Sequence, residues 1–194
     1  MGGFILGKTI MTTSAKIGFI CGSLREGSIN QKLMKALKKR VKAAGARVTD
    51  IDLGKLDLPL FHGDLTQPAN VKKLVTKMKG CDGIIIVTPE YNGCLPPLLK
   101  NAIDWTSTAG KAQFENPVYG LAACSPGPMS GIMCLRQLNY ILTRVGAEVV
   151  PTQVGTGHAS AAFDAKGNLT AQPSSMLADK MINQLLTRCA QKSK

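Results

Sequence analysis

Long apolar stretches are missing from this chain, and histidine is scarce. The longest apolar run, Ile84–Val87, is far too short to cross a bilayer. It fits a strand buried on both faces of a sheet instead. Only two histidines are present, His62 and His158, in separate loops and without a carboxylate–His spacing, so no metal site is expected. The six cysteines (Cys21, Cys81, Cys94, Cys124, Cys134 and Cys189) include no C-x-x-C pair, which removes a thioredoxin-like motif and a zinc ribbon. Cys21 and Cys124 fall in predicted buried strands, where cysteine packs as a small hydrophobe. This usage suits a reducing compartment, and a cytoplasmic protein is expected. Met1–Ser14 carries one lysine but no sustained apolar region or cleavage site, so it does not read as a secretory signal. Leu6 stands where a myristoylation motif needs Ser or Thr, and the final Lys-Ser-Lys is not the peroxisomal address. Residues 1–15 read as a loose extension and 16–194 as one domain, large enough to bury a core.

Acidic residues are scarce as well. Twelve Asp and Glu face 24 Lys and Arg, a net charge of +12. Such an excess can serve nucleic acid, an anionic membrane surface or small anionic ligands. Lys32, Lys35, Lys39 and Lys42 lie on one stripe of a predicted helix, with Lys38 and Arg40 beside them. Ile29, Leu33, Leu37 and Val41 take the other face, which is the pattern of an amphipathic helix with a solvated side. Neither a zinc-finger spacing nor an RNA-binding aromatic motif accompanies the stripe, so no nucleic-acid partner is expected.

Short β-like runs alternate with longer helical ones along the chain, the signature of parallel βαβ units. Strands are predicted at Lys16–Gly22, Arg47–Ile51, Gly83–Thr88, Val118–Cys124 and Ala147–Pro151. Helices are predicted at Ile29–Ala44, Val71–Lys79, from Pro96-Pro97 to about Trp105, at Gly131–Val145 and at Ser174–Cys189. Ser28 is the N-cap of the first helix, and Gly45 and Gly80 close the first and second. Proline opens the third, where a missing N–H costs nothing. The expectation is a doubly wound α/β fold: a five-stranded parallel sheet in the order 2-1-3-4-5 with helices on both faces. Thr106–Asn116 and Thr152–Gln172 break the rhythm, and long loops in such domains are functional or interfacial.

Ligands of open α/β sheets bind beyond the carboxyl ends of the strands. Three loops meet there in this order. The first, Gly22-Ser23-Leu24-Arg25-Glu26-Gly27-Ser28-Ile29-Asn30, combines hydroxyls, an arginine, an amide and a helix start. Unpaired N–H groups and the helix dipole make such a segment a phosphate cradle. Gly22 and Gly27 have the Walker A spacing, but Ser28-Ile29 replaces its lysine and hydroxyl, and no G-x-G-x-x-G is present. The second loop, Thr88-Pro89-Glu90-Tyr91-Asn92-Gly93-Cys94-Leu95-Pro96-Pro97, offers an aromatic plane beside an amide on a rigid turn, which suits a flat heterocycle. Ser125–Gly131 forms the third.

Gly22-Ser23-Leu24-Arg25 with Ser28 and Asn30, then Pro89-Glu90-Tyr91-Asn92-Gly93 and Leu99-Lys100-Asn101-Ala102-Ile103-Asp104-Trp105, resemble the NADPH-dependent FMN reductase family, whose fold is flavodoxin-like. The resemblance runs from about Lys16 to the C-terminus and extends to Phe163-Asp164-x-x-Gly167-x-Leu169. It implies non-covalent FMN, NADPH or NADH as reductant, and a small acceptor: a quinone, flavin, azo compound or metal oxyanion such as chromate. By resemblance, Ser23, Arg25, Ser28, Ile29 and Asn30 hold the FMN phosphate. Pro89, Glu90, Tyr91 and Asn92 line the isoalloxazine, and Ser125 and Gly127 flank its other side. A ping-pong cycle with hydride passing at the flavin, requiring no acid–base residue of the protein, is then expected, and the resemblance implies a homodimer or homotetramer. Cys94 stands where the resembled family often has a small residue such as Ser, and Ser125-Pro126-Gly127-Pro128 holds more proline than many members.

Rival readings lack parts. Ala123-Cys124-Ser125-Pro126-Gly127 has the outline of a hydrolase nucleophile elbow, but the residue after the serine must donate its N–H to the oxyanion, and Pro126 has none. Trp105 reads as buried packing, and Lys100, Asn101 and Asp104 as fixing the third helix or a subunit contact. A flavodoxin-type single-electron carrier between proteins remains the alternative, since its fold and FMN site would be similar.

Overall fold

A computed structural model of the chain describes residues 15–192. The expected loose extension lies outside them except for Ala15, which is buried and whose carbonyl accepts the Arg47 N–H at 2.9 Å. The elements run β1 (Lys16–Cys21), α1 (Ile29–Ala43), β2 (Arg47–Ile51), a 3-10 turn (Gly54–Leu56), α2 (Ala69–Lys79), β3 (Gly83–Thr88), α3 (Pro97–Ser107) and α4 (Ala112–Glu115). β4 (Val118–Cys124), α5 (Ile132–Arg144), β5 (Glu148–Val149), β6 (Val154–Thr156) and α6 (Ser174–Lys192) follow.

All strand pairings are parallel, in the order β2-β1-β3-β4-β5, with β6 also on β4. Alternation within the central strands divides the apolar residues between two layers. Ile85 and Val87 face Leu33, Leu37 and Val41 of α1 and Met181 and Leu185 of α6. Ile84 and Ile86 face the other way, toward Leu74 of α2, Leu99 and Ile103 of α3, and Leu135 and Leu138 of α5. Each such fully buried aliphatic side chain contributes roughly 1.5–3 kcal/mol. β3, buried along its whole length, is the middle strand of the order and packs on both layers.

The fifth strand departs from expectation. Only Glu148–Val149 pair with β4, instead of Ala147–Pro151. Pro151 has no N–H to continue the ladder, and the Thr152 N–H turns to Gln184 Oε1 on α6 at 3.2 Å. The chain then rejoins the same edge as β6, with Ala122 opposite Val154 and Cys124 opposite Thr156. The detour carries the segment after β6 to the carboxyl ends of the strands.

The loop after β6 is folded on itself. Both oxygens of Asp164 accept from Asn168, at 2.8 Å each, which holds the Asp164 carboxyl below its ordinary value. From the basic stripe of α1, Lys39 donates to the Lys166 carbonyl (2.7 Å) and Arg40 to the Ser175 carbonyl (2.7 Å). Part of the stripe is therefore a clamp and not merely a solvated face. On α3, Trp105 is 1% exposed and donates to the Pro59 carbonyl at 2.6 Å, while Asn101 accepts from the Phe61 N–H at 2.8 Å. The Leu99–Trp105 motif thus anchors the segment that follows β2.

Candidate functional site

Three loops after β1, β3 and β4 meet at one edge of the sheet, and hydrogen bonds join them pairwise. The Gly22 N–H donates to the Val87 carbonyl at 2.8 Å, so the first loop starts against β3. A Cβ at Gly22 would lie 2.7 Å from Thr88 Oγ1, which is why this position has no side chain. Asn30, 1% exposed, faces Cys124 at the end of β4: its Nδ2 donates to the Cys124 carbonyl (2.9 Å) and its Oδ1 accepts the Cys124 N–H (2.8 Å). That amide acts as one rung of a sheet ladder and ties the start of α1 to the third loop.

Glu90 makes the third link. Helix α5 begins at Gly131, at φ 74°, with no side chain to cap it. Glu90 Oε2 supplies the cap from the second loop, accepting the Met133 N–H at 3.0 Å and the Cys134 N–H at 3.1 Å. A carboxylate there satisfies orphan donors and complements the positive end of the helix. The resemblance reading put both Asn30 and Glu90 in contact with the cofactor. In the structure the Asn30 amide bonds Cys124 and the Glu90 carboxylate bonds the start of α5, so both side chains hold the loops together.

Ser28 caps α1 as expected, its hydroxyl accepting the Asn30 N–H at 3.2 Å. The first intrahelical bond is Lys32 N–H to the Ser28 carbonyl, so the N–H groups of Ile29 and Gln31 have no partner among the described residues. Ser23 is buried beside them; its hydroxyl oxygen accepts the Arg25 N–H at 3.4 Å, and its carbonyl accepts from Gln31 Nε2 at 3.3 Å. Arg25 is exposed, and its guanidinium has no ion pair or hydrogen bond among the described residues. Two free N–H donors, two serine hydroxyls and a free guanidinium therefore surround the start of α1. The Ile29 side chain itself packs on the core.

Tyr91 and Cys94 exchange both backbone bonds, Tyr91 N–H to Cys94 carbonyl at 3.0 Å and Cys94 N–H to Tyr91 carbonyl at 2.9 Å. Asn92 at φ 52° and Gly93 at φ 75° make the two-residue hairpin turn that an Asn-Gly pair favours. The turn carries Tyr91 outward at 48% exposure, beside the exposed Asn92. Gln137 of α5 braces the turn, its Nε2 donating to the Gly93 carbonyl at 3.0 Å. Pro89 is half-buried at its root.

In the third loop, the Ser125 hydroxyl donates to the Gly127 carbonyl at 2.9 Å, and Gly127 itself faces open space. A fourth loop, after β6, closes on it: the His158 N–H donates to the Gly127 carbonyl (3.2 Å) and the Ala159 N–H to the Ser125 carbonyl (3.3 Å). His158 is exposed at φ 46° on that rim. Sequence reasoning marked Thr152–Gln172 as functional or interfacial but missed β6 within it, although Val154-Gly155-Thr156 followed by Gly157 is a short β-like run ending in a turn signal. Burial raises the Cys124 and Cys134 thiols to about 12, with the Glu90 charge adding to the effect at Cys134. Neither is a nucleophile at neutral pH. Among the described residues, no three His, Cys, Asp or Glu side chains gather as a metal site.

The chain is similar to known proteins. The family model described as NADPH-dependent FMN reductase matches residues 15–161. A quinone reductase of Escherichia coli (strain K12) is 33% identical over 144 residues, 72% of this chain and 76% of that protein. An NADPH azoreductase of Bacillus sp. (strain OY1-2) is 35% identical over 105 residues, 53% of this chain and 57% of that protein. Among solved structures, the flavoenzyme NAD(P)H:(acceptor) oxidoreductase FerB from Paracoccus denitrificans superposes with a TM-score of 0.78 at 27% identity, over 92% of this chain and 98% of its own.

Proposed function

Because this chain belongs to the NADPH-dependent FMN reductase family, and so is an FMN-dependent NAD(P)H oxidoreductase, we propose that its acceptor is a quinone-type small molecule and that its site is the loop cluster after β1, β3 and β4. The residues fit the group. An anionic phosphate answers the unpartnered N–H groups of Ile29 and Gln31, the hydroxyls of Ser23 and Ser28 and the free Arg25 guanidinium. The observation that carries the reading is this concentration of uncommitted donors at one helix start.

When bound, FMN supplies the redox centre between the nicotinamide and the acceptor. The protein supplies placement. Tyr91, held outward by the Asn92-Gly93 turn, would offer an aromatic face to the bound ring, and Pro89 and the open backbone at Gly127 would help to hold it. Asn30 and Glu90 act through the loops they tie, keeping the cradle and the ring platform in fixed relation. No side-chain acid or base is assigned to the reaction. The curated relatives named quinone reductase and azoreductase support a small conjugated acceptor. We take residues 16–194 as one domain that works as a homodimer or homotetramer, with the exposed Ile132, Met133 and Tyr140 of α5 turned toward another copy.

The test is anaerobic rapid mixing of the FMN-loaded protein with NADPH or NADH, followed by a quinone. Bleaching of the flavin absorbance within a turnover, and its return with the quinone, is the expected result. A flavin that stays oxidised with both nucleotides but is reduced by a reductase protein would sink the enzyme reading and favour a single-electron carrier.

A further inference from the structure

The twelve surplus positive charges of this chain leave a cavity of their own sign. A groove of about 660 Å³ lies beside β2, the outer strand among the described residues, between α1 and α2. It starts at Ser23 and Leu24 of the first loop and extends to Lys77 on α2, with Lys35, Lys38 and Lys55 along it against only two carboxylates, Asp50 and Asp52. Lys38 is paired with Asp50, and Lys55 lies 4.0 Å from Asp52. Lys35 and Lys77 are exposed and have no ion pair or side-chain hydrogen bond among the described residues. Two ammonium groups thus remain uncommitted in a concave site whose walls include the apolar Met34 and Leu53.

We propose that this groove seats the adenosine end of NADPH, its 2′-phosphate between Lys35 and Lys77. The volume falls within the range of small-ligand sites, roughly 300–1,000 Å³. An ammonium on a flexible stem binds phosphate as a point charge, and two of them select a dianion over a ribose hydroxyl. Apolar walls suit the purine. Ser23 belongs to both the groove and the FMN cradle, so one surface connects them. With strands about 4.8 Å apart, the edge of β2 is roughly 15 Å from β4, a distance that an extended dinucleotide covers along the carboxyl edge. The proposal rests on the NAD(P)H reading above and adds to it a preference for NADPH over NADH.

Calorimetric titration with 2′,5′-ADP and with 5′-AMP, alongside a separate FMN titration, tests it. The native protein is expected to bind 2′,5′-ADP at least tenfold more tightly than 5′-AMP. Lys35→Ala combined with Lys77→Ala should abolish that difference while leaving FMN affinity within twofold. Lys42→Ala, which removes a charge from the same helix outside the groove, should leave the difference intact. Equal binding of the two nucleotides, or a preference that survives the double variant, would overturn the groove assignment. Normal FMN binding in that case leaves the reductase reading standing, whereas groove binding of 2′,5′-ADP without any FMN affinity would instead remove the reductase reading.

Discussion

Arg25 and Asn30 lie five residues apart in the first loop, yet one is free and the other fully committed. Arg25 has no partner among the described residues and is exposed, so its removal costs the fold little. Arg25→Ala is therefore expected to weaken FMN binding by roughly ten- to a hundredfold, the loss of one charge-assisted contact worth about 1.5–3 kcal/mol, with the melting temperature unchanged. Fluorescence titration of FMN into the apoprotein reads the first effect and thermal unfolding the second. Asn30 would behave in the opposite way, because both ends of its amide bond Cys124 at 2.8–2.9 Å in a buried site. The contrast was not legible from the residue types. Serine at 28 announced itself as a cap because capping is local; Asn30 pairs with a residue 94 positions away.

Between elements, the joint that matters most for the site is Glu90 on α5. Its carboxylate substitutes for the cap that Gly131 cannot provide. Glu90→Ala should cost about 1 kcal/mol or more of stability, as loss of an N-cap does, and should loosen FMN binding by freeing the Tyr91 loop. Glu90→Gln keeps an acceptor and should recover most of the stability. Chemical denaturation of the three proteins, with FMN affinity measured on each, checks the order; equal stability of the alanine variant and the native protein would remove the cap from the account. Most strands and helices were readable from alternation and 3.6-residue periodicity. β6 was not, because three residues carry too little pattern, and its existence depends on β4 offering an unpaired edge beyond Pro151.

For the molecule as a whole, two expectations follow from its surface and its core. On α5, Ile132, Met133 and Tyr140 are exposed beside the site, Tyr140 at 69%. Light scattering should give a mass above that of one chain, and Tyr140→Glu should lower it; a native monomer would argue that the face is simply solvated. The core carries buried thiols. Cys124, Cys134 and Cys189 are each pushed up to about 12 by burial, and the buried Tyr119 hydroxyl is raised as well. In the unfolded chain these thiols ionise near 9.0, so above that pH the unfolded state loses protons that the native state retains. Stability is then fully present below about pH 9 and falls as the pH rises toward 12. Thermal unfolding between pH 8 and 10.5 should show a steady decline in melting temperature, whereas a flat profile would mean that the thiols are hydrated in the native state.

Local chemistry was already decided in the chain as written. Apolar alternation set the strands, amphipathic stripes set the helices, Asn92-Gly93 set a turn, and Ser28 set the start of α1. Each depends on neighbours within a few residues, so the order of letters suffices. Which donors stay free for a ligand was decided only by folding. Asn30, Glu90 and Arg25 are equally polar in the sequence, and the first two are consumed by Cys124 and by the α5 backbone while the third is left over. A hydrogen bond spanning dozens of residues exists only once the parallel sheet has brought its partners to one edge, and that pairing decides what the site has left to offer.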